Sequence, residues 1–262
     1  MLQLIVPAYN EELRLPETLR NLRDYVLRES RVLQQVEVIV VDNASTDRTA
    51  EVAAELDSPG LPIRVVHCSV RGKGAAVRAG VAASDAELVG FMDADGATSM
   101  EALDEAWRLV TLGSDVAIGS RAVDGAQTMA RHSWMRERGA QFYRNLAGRI
   151  VPGVSDTQCG FKLMRGDLAR RVFACVATTG FSFDVELLMR LRNAGASIAE
   201  FPVRWTDVPG STFAPARHGI QSFTDLASIA WRLRDLGRTA PVTPLTPLRL
   251  SLESVGDVVA EA

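Results

Sequence analysis

Along residues 1–120, short runs that are almost wholly apolar alternate with longer stretches whose apolar residues recur every three or four positions. "LQLIVPAY" (2–9), "VEVIVVDN" (36–43), "PIRVVHC" (62–68), "ELVGFMDAD" (87–95) and "DVAIGS" (115–120) are of the first kind and predict strands. Between them, "LPETLRNLRDYVLRE", "DRTAEVAAEL", "GAAVRAGVAAS" and "SMEALDEAWRLVTL" predict helices. In the first helix Pro16 suits the opening turn, and Leu19, Leu22, Tyr25 and Val26 lie along one side. Ser45 or Thr46 is placed to cap the second. Strands apolar on both faces, alternating with helices, predict a single α/β domain with a mainly parallel sheet covered on both sides. Ligands of such sheets bind beyond the carboxyl ends of the strands, which is where Tyr9, Asp42, Asp93 and Asp95 fall.

The second half is less regular. It predicts a helix within 132–150, a strand at "CGFKLMR", helices in 166–175 and 184–194, and a strand at "SIAEFPVRW" (197–205). "TDVPGSTFAPAR" reads as a linker into a helix over roughly 218–236. Ile220, Phe223, Leu226, Ile229, Leu233 and Leu236 form a stripe on that helix, with Arg217, Arg232, Arg234 and Arg238 nearby and Trp231 off the centre line. The stripe suits either packing against the core or an interfacial helix on anionic lipid. From Arg238 onward Pro241, Pro244 and Pro247 predict a flexible tail over 237–262.

Composition narrows the function classes. The 262 residues are 47% apolar and 23% charged, ordinary for a soluble globular protein. A net charge of −3 carries no nucleic-acid footprint. The three cysteines (Cys68, Cys159, Cys175) form no C-x-x-C and no even set, which fits a reducing cytoplasm. The start, "MLQLIVPAYN", is too short and uncharged for a signal peptide. No run of about 18 apolar residues occurs, so membrane work would be peripheral, on the cytoplasmic face.

Asp93 and Asp95, one residue apart after a strand, are expected on the same side of it. Two such charges raise each other's pKa unless a cation sits between them. Hard oxygen ligands suit Mg²⁺ or Mn²⁺ together with substrate phosphates, while Asp95-Gly96 alone could be a turn. In "VRGKGAAVRAG" (70–80), Gly72 and Gly74 flank Lys73 at a helix start, which suits an anion. A surface turn is the competing reading, because neither a P-loop nor a dinucleotide fingerprint is present. "VPAYNEE" (6–12) places Tyr9 and Glu11 after a strand, either as a solvated turn or, with Asp42, as a nucleotide pocket.

"VPAYNEE", "VVDNASTDRT", "GKGAAVRAG", "DADGAT", "GSR", "DTQCGFKLMR", "FSFDVELL" and "WTDVPGS" follow in this order. Together they resemble the inverting nucleotide-sugar glycosyltransferases of the GT-A fold, most of all their polyprenyl-phosphate branch, the dolichyl-phosphate glucosyltransferases, over residues 2–236. The resemblance implies a nucleotide-binding half (1–121), an acceptor half (122–217) and a C-terminal amphipathic helix (218–236). It implies a nucleotide-sugar pocket from Pro7, Tyr9, Glu11, Asp42 and Lys73, with Asp93 at the ribose or metal, Asp95 on the metal, and Ala94 leaving room for substrate. Arg121, with Gln158 and Lys162 of "DTQCGFK", would face the sugar and the acceptor phosphate; Trp205 is a further sugar or lipid contact, with core packing as its alternative.

The implied reaction is transfer of glucose from UDP-glucose to a polyprenyl phosphate, with Mg²⁺ or Mn²⁺. The alternative is a soluble or glycolipid alcohol acceptor, which would need a general base. Asp184 in "FSFDVELL" is then the candidate, its other reading being a helix-start aspartate. Two positions depart from the family pattern. Asn43 stands where a second aspartate is common, and Thr212 where a lysine often holds the acceptor phosphate, a role open to Arg217 or His218. Cys159 reads as a small buried residue rather than a nucleophile, His67 and His132 as packing or surface residues, and Trp107 and Trp134 as core.

Overall fold

The computed structural model describes residues 1–30, 33, 35–129, 143–208 and 215–234, without the side chains of 215–221. Five strands precede residue 121: β1 (Leu2–Ala8), β2 (Val36–Asp42), β3 (Ile63–His67), β4 (Leu88–Phe91) and β5 (Val116–Ser120). They alternate with α1 (Leu15–Arg28), α2 (Thr49–Ala54), α3 (Lys73–Ala82) and α4 (Ala102–Thr111). The second half adds β6 (Gln127–Met129), α5 (143–150), β7 (Lys162–Arg165), α6 (Gly166–Phe173), α7 (Phe183–Asn193), β8 (Ile198–Pro202), β9 (Arg204–Thr206) and α8 (Pro215–Leu233). One seven-stranded sheet runs in the order β3-β2-β1-β4-β7-β5-β8, and β6 pairs with β9 in a small second sheet.

The apolar runs of β1, β2, β4 and β5 become strands buried on both faces, β3 at the sheet edge being only partly buried, and their period of two divides the core. Leu4, Val6, Val38 and Val40 pack under α1 and α4 with Leu19, Leu22 and Ala106. Ile5, Ile39, Val41 and Phe91 point the other way, onto a cluster with Val77, Leu168, Phe183 and Leu188 of α3, α6 and α7. Leu226, Ile229 and Leu233 of α8 join that second cluster, so the described part of the apolar stripe packs on the core. Trp107 packs against the first cluster, partly buried. Among the described residues no helix is long and apolar enough to cross a membrane.

β7 is antiparallel to both neighbours, β4 and β5, and among the described residues is the one reversed strand in the large sheet. An antiparallel strand starts where its parallel neighbours finish. The first residue of β7, Lys162, therefore pairs with the last of β4, Phe91, and is delivered to the carboxyl-end rim.

Four expectations are corrected. β4 ends at Phe91, so Asp93-Ala94-Asp95-Gly96 forms a turn, with Gly96 at φ +66°, and strand alternation does not set the direction of the two aspartates. α2 begins at Thr49 with Arg48 at its N-cap, and just before it Asp47 Oδ1 accepts from the Thr49 N–H at 3.0 Å. Ser45 and Thr46 instead bond to Asn10. The strand expected over 197–205 breaks into β8, which pairs with β5 as far as Pro202, and β9, which pairs with β6 in the small sheet. α8 starts earlier than expected, at Pro215. The tail from 237, and Thr212, His132 and Trp134, lie outside the described residues.

Candidate active site

The parallel strands and the reversed β7 aim their chemistry at one rim. Tyr9 and Glu11 follow β1, Asp42 ends β2, Asp93 and Asp95 follow β4, and Arg121 follows β5. Lys73 opens α3, Lys162 opens β7, and Asp184 sits in the first turn of α7.

Opposite charges interleave across this rim. Lys73 Nζ lies 2.6 Å from Asp93 Oδ1. Burial works to raise the Asp93 carboxyl, but the charges of Lys73, Arg121 and Lys162 outweigh it and hold its pKa below the usual range. Burial likewise opposes the Lys73 ammonium, and the charges of Asp93 and Asp184 more than offset that, lifting its pKa. Asp95 has no such close counter-ion. Burial and then the Asp93 charge push its pKa up, although Arg14 Nη1 stands 3.9 Å away and the Ala97 N–H donates to it at 3.1 Å. Behind Asp93 lies Gly160, where a Cβ would come within 1.9 Å of Asp93 Oδ2. Only glycine leaves room for that carboxylate.

Lys162 is fully buried. Its ammonium donates to Asp184 Oδ1 at 2.5 Å and to the carbonyls of Cys159 (2.8 Å) and Thr157 (3.3 Å), and sits 5.3 Å from the centre of the Phe91 ring. Three acceptors saturate the three ammonium protons. Asp184 is 1% exposed, and burial raises its carboxyl against the opposing pull of Lys162. Arg121 forms a fork to Asp156, Nε to Oδ2 at 2.7 Å and Nη2 to Oδ1 at 3.0 Å, and its guanidinium stacks 5.5 Å from the centre of the Trp205 ring.

On the β1–β2 side, Arg71 lies over the Tyr9 ring at 5.7 Å. Asp42 accepts from the Ser45 N–H at 3.2 Å, and its other oxygen is 3.1 Å from Nδ1 of the exposed His67. Asn43 is buried and spends its amide on the chain: it donates to the Cys68 and Val70 carbonyls and accepts from the Gly72 N–H at 2.7 Å. An aspartate there could not donate to those carbonyls. The departure at Asn43 thus ties down the loop before α3.

The remaining expected residues are less central. Pro7 is half-buried within β1, and Ala94 is buried in the α1-side core with its carbonyl accepting from Thr18 Oγ1 at 2.8 Å. Gln158 keeps a buried side-chain amide nitrogen with no protein partner. The side chains of Arg217 and His218 lie outside the described residues. Cys159 is fully buried, and burial pushes its thiol up to about 11, far from a nucleophile's range.

Four residues escape sequence reasoning. Arg14 forks onto the Glu11 carboxylate, reaches toward Asp95, and leaves its buried Nη1 without a hydrogen-bond partner. Its signal is the i,i+3 spacing in "EELR". Asp156 anchors Arg121, and Gly160 makes room for Asp93; both stand inside "DTQCGFK", where Gln158 and Lys162 draw attention first. Glu186, two residues beyond Asp184, is fully buried and hydrogen-bonded to the 177–178 backbone, with no sequence signal of its own.

Two carboxylates at a rim with spare negative charge on Asp95 fit a divalent cation whose other ligands are phosphate oxygens and water. Among the described residues no group of three metal-ligating side chains forms.

Residues 3–173 match the family Glycosyl transferase family 2. The chain is 35% identical over 252 residues to the dolichyl-phosphate beta-glucosyltransferase of Mus musculus, covering 89% of this chain and 78% of the relative. It is 33% identical to the enzyme of the same name from Dictyostelium discoideum, covering 88% and 74%. Its fold matches glucosyl-3-phosphoglycerate synthase from Mycobacterium tuberculosis, solved with Mn²⁺, UDP and glucosyl-3-phosphoglycerate: TM-score 0.61, 18% identity, 87% of this chain and 79% of that one. Mannosyl-3-phosphoglycerate synthase from Rubrobacter xylanophilus gives a TM-score of 0.66 at 19% identity, covering 97% and 79%. With that match over most of a GT-A-type domain, the chain belongs to glycosyl transferase family 2 and is a glycosyltransferase.

Proposed function

We propose that the protein transfers glucose from UDP-glucose to a polyprenyl phosphate such as dolichyl phosphate, with inversion. The names of its relatives support the sugar and the acceptor class. The observation that carries the reading is the buried Lys162–Asp184 pair. It neutralises the carboxylate best placed to serve as a base, which favours an acceptor that needs none. A phosphate monoester has a second pKa near about 6 and is already largely dianionic at neutral pH.

In this reading Tyr9, backed by Arg71, stacks on the base, and Asp42 accepts from base or ribose donors. Pro7 and Glu11 shape the pocket, the latter through its fork with Arg14. Asp95, with Asp93, would hold Mg²⁺ or Mn²⁺, and when bound such an ion stabilises charge on the departing diphosphate. Lys73 faces the same diphosphate and supplies a positive charge in a partly desolvated site. Arg121, Gln158, Trp205 and Arg217 serve the sugar and acceptor side, whereas Lys162, expected there too, is buried with its three protons taken by Asp184 and the Cys159 and Thr157 carbonyls and supports that side from behind. The acceptor oxygen forms its bond to the anomeric carbon from the face opposite UDP, and the carbon–diphosphate bond breaks. Trp231, 66% exposed on α8 beside Arg234, supports peripheral contact with a membrane, and the three free cysteines suit its cytoplasmic face.

A donor panel tests the proposal: UDP-glucose, UDP-galactose, UDP-N-acetylglucosamine and GDP-mannose, each with dolichyl phosphate, with and without Mn²⁺, scored by product mass. The expected product is glucosyl phosphoryl dolichol, formed with the ion present. A hexose transferred better from another nucleotide sugar overturns the donor assignment. An alcohol acceptor is the second reading, and the upward-shifted Asp184 carboxyl is the observation in its favour.

A further inference from the structure

Lys73 owes its place to the first turn of α3, and that turn is gripped from behind. The Ala75 N–H donates to the Thr179 carbonyl at 3.1 Å. Gly72, at φ +126°, approaches the same carbonyl so closely that a Cβ would lie 2.2 Å from its oxygen. The 177–179 segment is in turn held by one buried carboxylate. Glu186 accepts from the Ala177 N–H (3.1 Å), the Thr178 N–H (2.8 Å) and the Thr178 hydroxyl (2.6 Å), and from Arg190 (2.7 and 2.9 Å). Arg232, on the last turn of α8, completes the cluster: its Nη2 donates to Thr178 Oγ1 at 3.0 Å and lies 3.5 Å from Glu186 Oε2.

This arrangement is more than a buried ion pair in the core. Asp184 and Glu186 leave the same helical turn in different directions, one to the reacting rim through Lys162 and the other to the support behind Lys73. We propose that Glu186 is a positioning residue for the donor site, and that Arg232 ties the C-terminal helix into the same clamp, so that the placement of Lys73 depends on both. The inference rests on the reading of Lys73 as a contact to the donor diphosphate. Contacts in one network couple, whereas independent sites add.

The test is a double-mutant cycle on the full-length protein, with UDP and Mn²⁺ as the probe and binding read by calorimetry. Glu186→Gln is the direct variant, and Arg232→Met leaves the core carboxylate in place should the first fail to fold. Arg232→Met is expected to weaken UDP binding about five-fold, Arg232→Lys to restore most of it, and Arg232→Met to add nothing in a Lys73→Met background. Melting temperature is followed throughout. A UDP affinity within two-fold of wild type in Arg232→Met, or a full additional loss in the Lys73→Met background, overturns the clamp while leaving the role of Lys73 intact. An unchanged UDP affinity in Lys73→Met overturns both.

Discussion

Asp93 is held from two sides: Lys73 reaches its Oδ1 at 2.6 Å, and the bare Cα of Gly160 closes on its Oδ2. The two contacts set where the carboxylate sits at the rim.

Gly160→Ala therefore displaces Asp93 without removing it. A methyl group 1.9 Å from Oδ2 cannot be accommodated unless the carboxylate or the backbone shifts. Misplacement on the scale of an ångström costs about 100-fold in a positioned reaction. Steady-state kinetics should show a loss of that order in kcat/KM for the donor, with a melting temperature only a few degrees lower. Near wild-type turnover would mean that Asp93 is not critical.

Asp184→Asn strands the Lys162 charge in the core. Breaking such a pair by removing one partner costs about 3–5 kcal/mol, whereas replacing both partners with apolar residues is often close to neutral. Chemical denaturation should give a loss of that size for Asp184→Asn. The double variant Lys162→Met/Asp184→Leu should recover much of it, with activity still low. A double variant as unstable as the single one would contradict a stability cost arising from the unpaired charge.

The Arg121–Asp156 fork predicts an acid dependence. Burial raises the Asp156 carboxyl, but the hydrogen bonds and charge of Arg121 prevail and hold it below its usual value. Between that lowered value and the ordinary carboxylate pKa near about 4, the unfolded chain binds more protons than the folded one, so stability falls as the pH falls through this window. Asp156→Asn should cost about 1.5–3 kcal/mol at pH 7. Its melting temperature should converge on that of the wild type as both are acidified below about pH 4. A gap that stays constant into acid would show that Asp156 is not titrating in this way.

Much of this architecture is legible in the sequence. Four of the five strands from Leu2 to Ser120, all but the edge strand β3, are apolar on both faces, and a period of two or of 3.6 is a strong signal. Residues at strand ends, Asp42, Asp93 and Asp95, follow from that pattern alone. The direction of β7 does not, because four residues reading "KLMR" look the same whichever way the strand runs. That reversal brings Lys162 to Phe91 and leads to the Lys162–Asp184 pair. Pairings across long sequence separations are equally silent: Arg121 with Asp156, Arg232 with Thr178, Asn43 with Gly72. Each depends on tertiary placement, and polar residue types alone do not choose partners. The turn at Asp93–Gly96 shows the reverse error, since an apolar run does not reveal where its ladder stops.

The most direct measurement gives the purified protein UDP-glucose and Mn²⁺ with dolichyl phosphate in one reaction and dolichol, the free alcohol, in another. Product is identified by mass and by the anomeric configuration of the glucose. An acceptor that is already ionised predicts glucosyl phosphoryl dolichol with a β-linkage from the first reaction and no glucoside from the second. Glucosyl dolichol from the alcohol would contradict the phosphate acceptor.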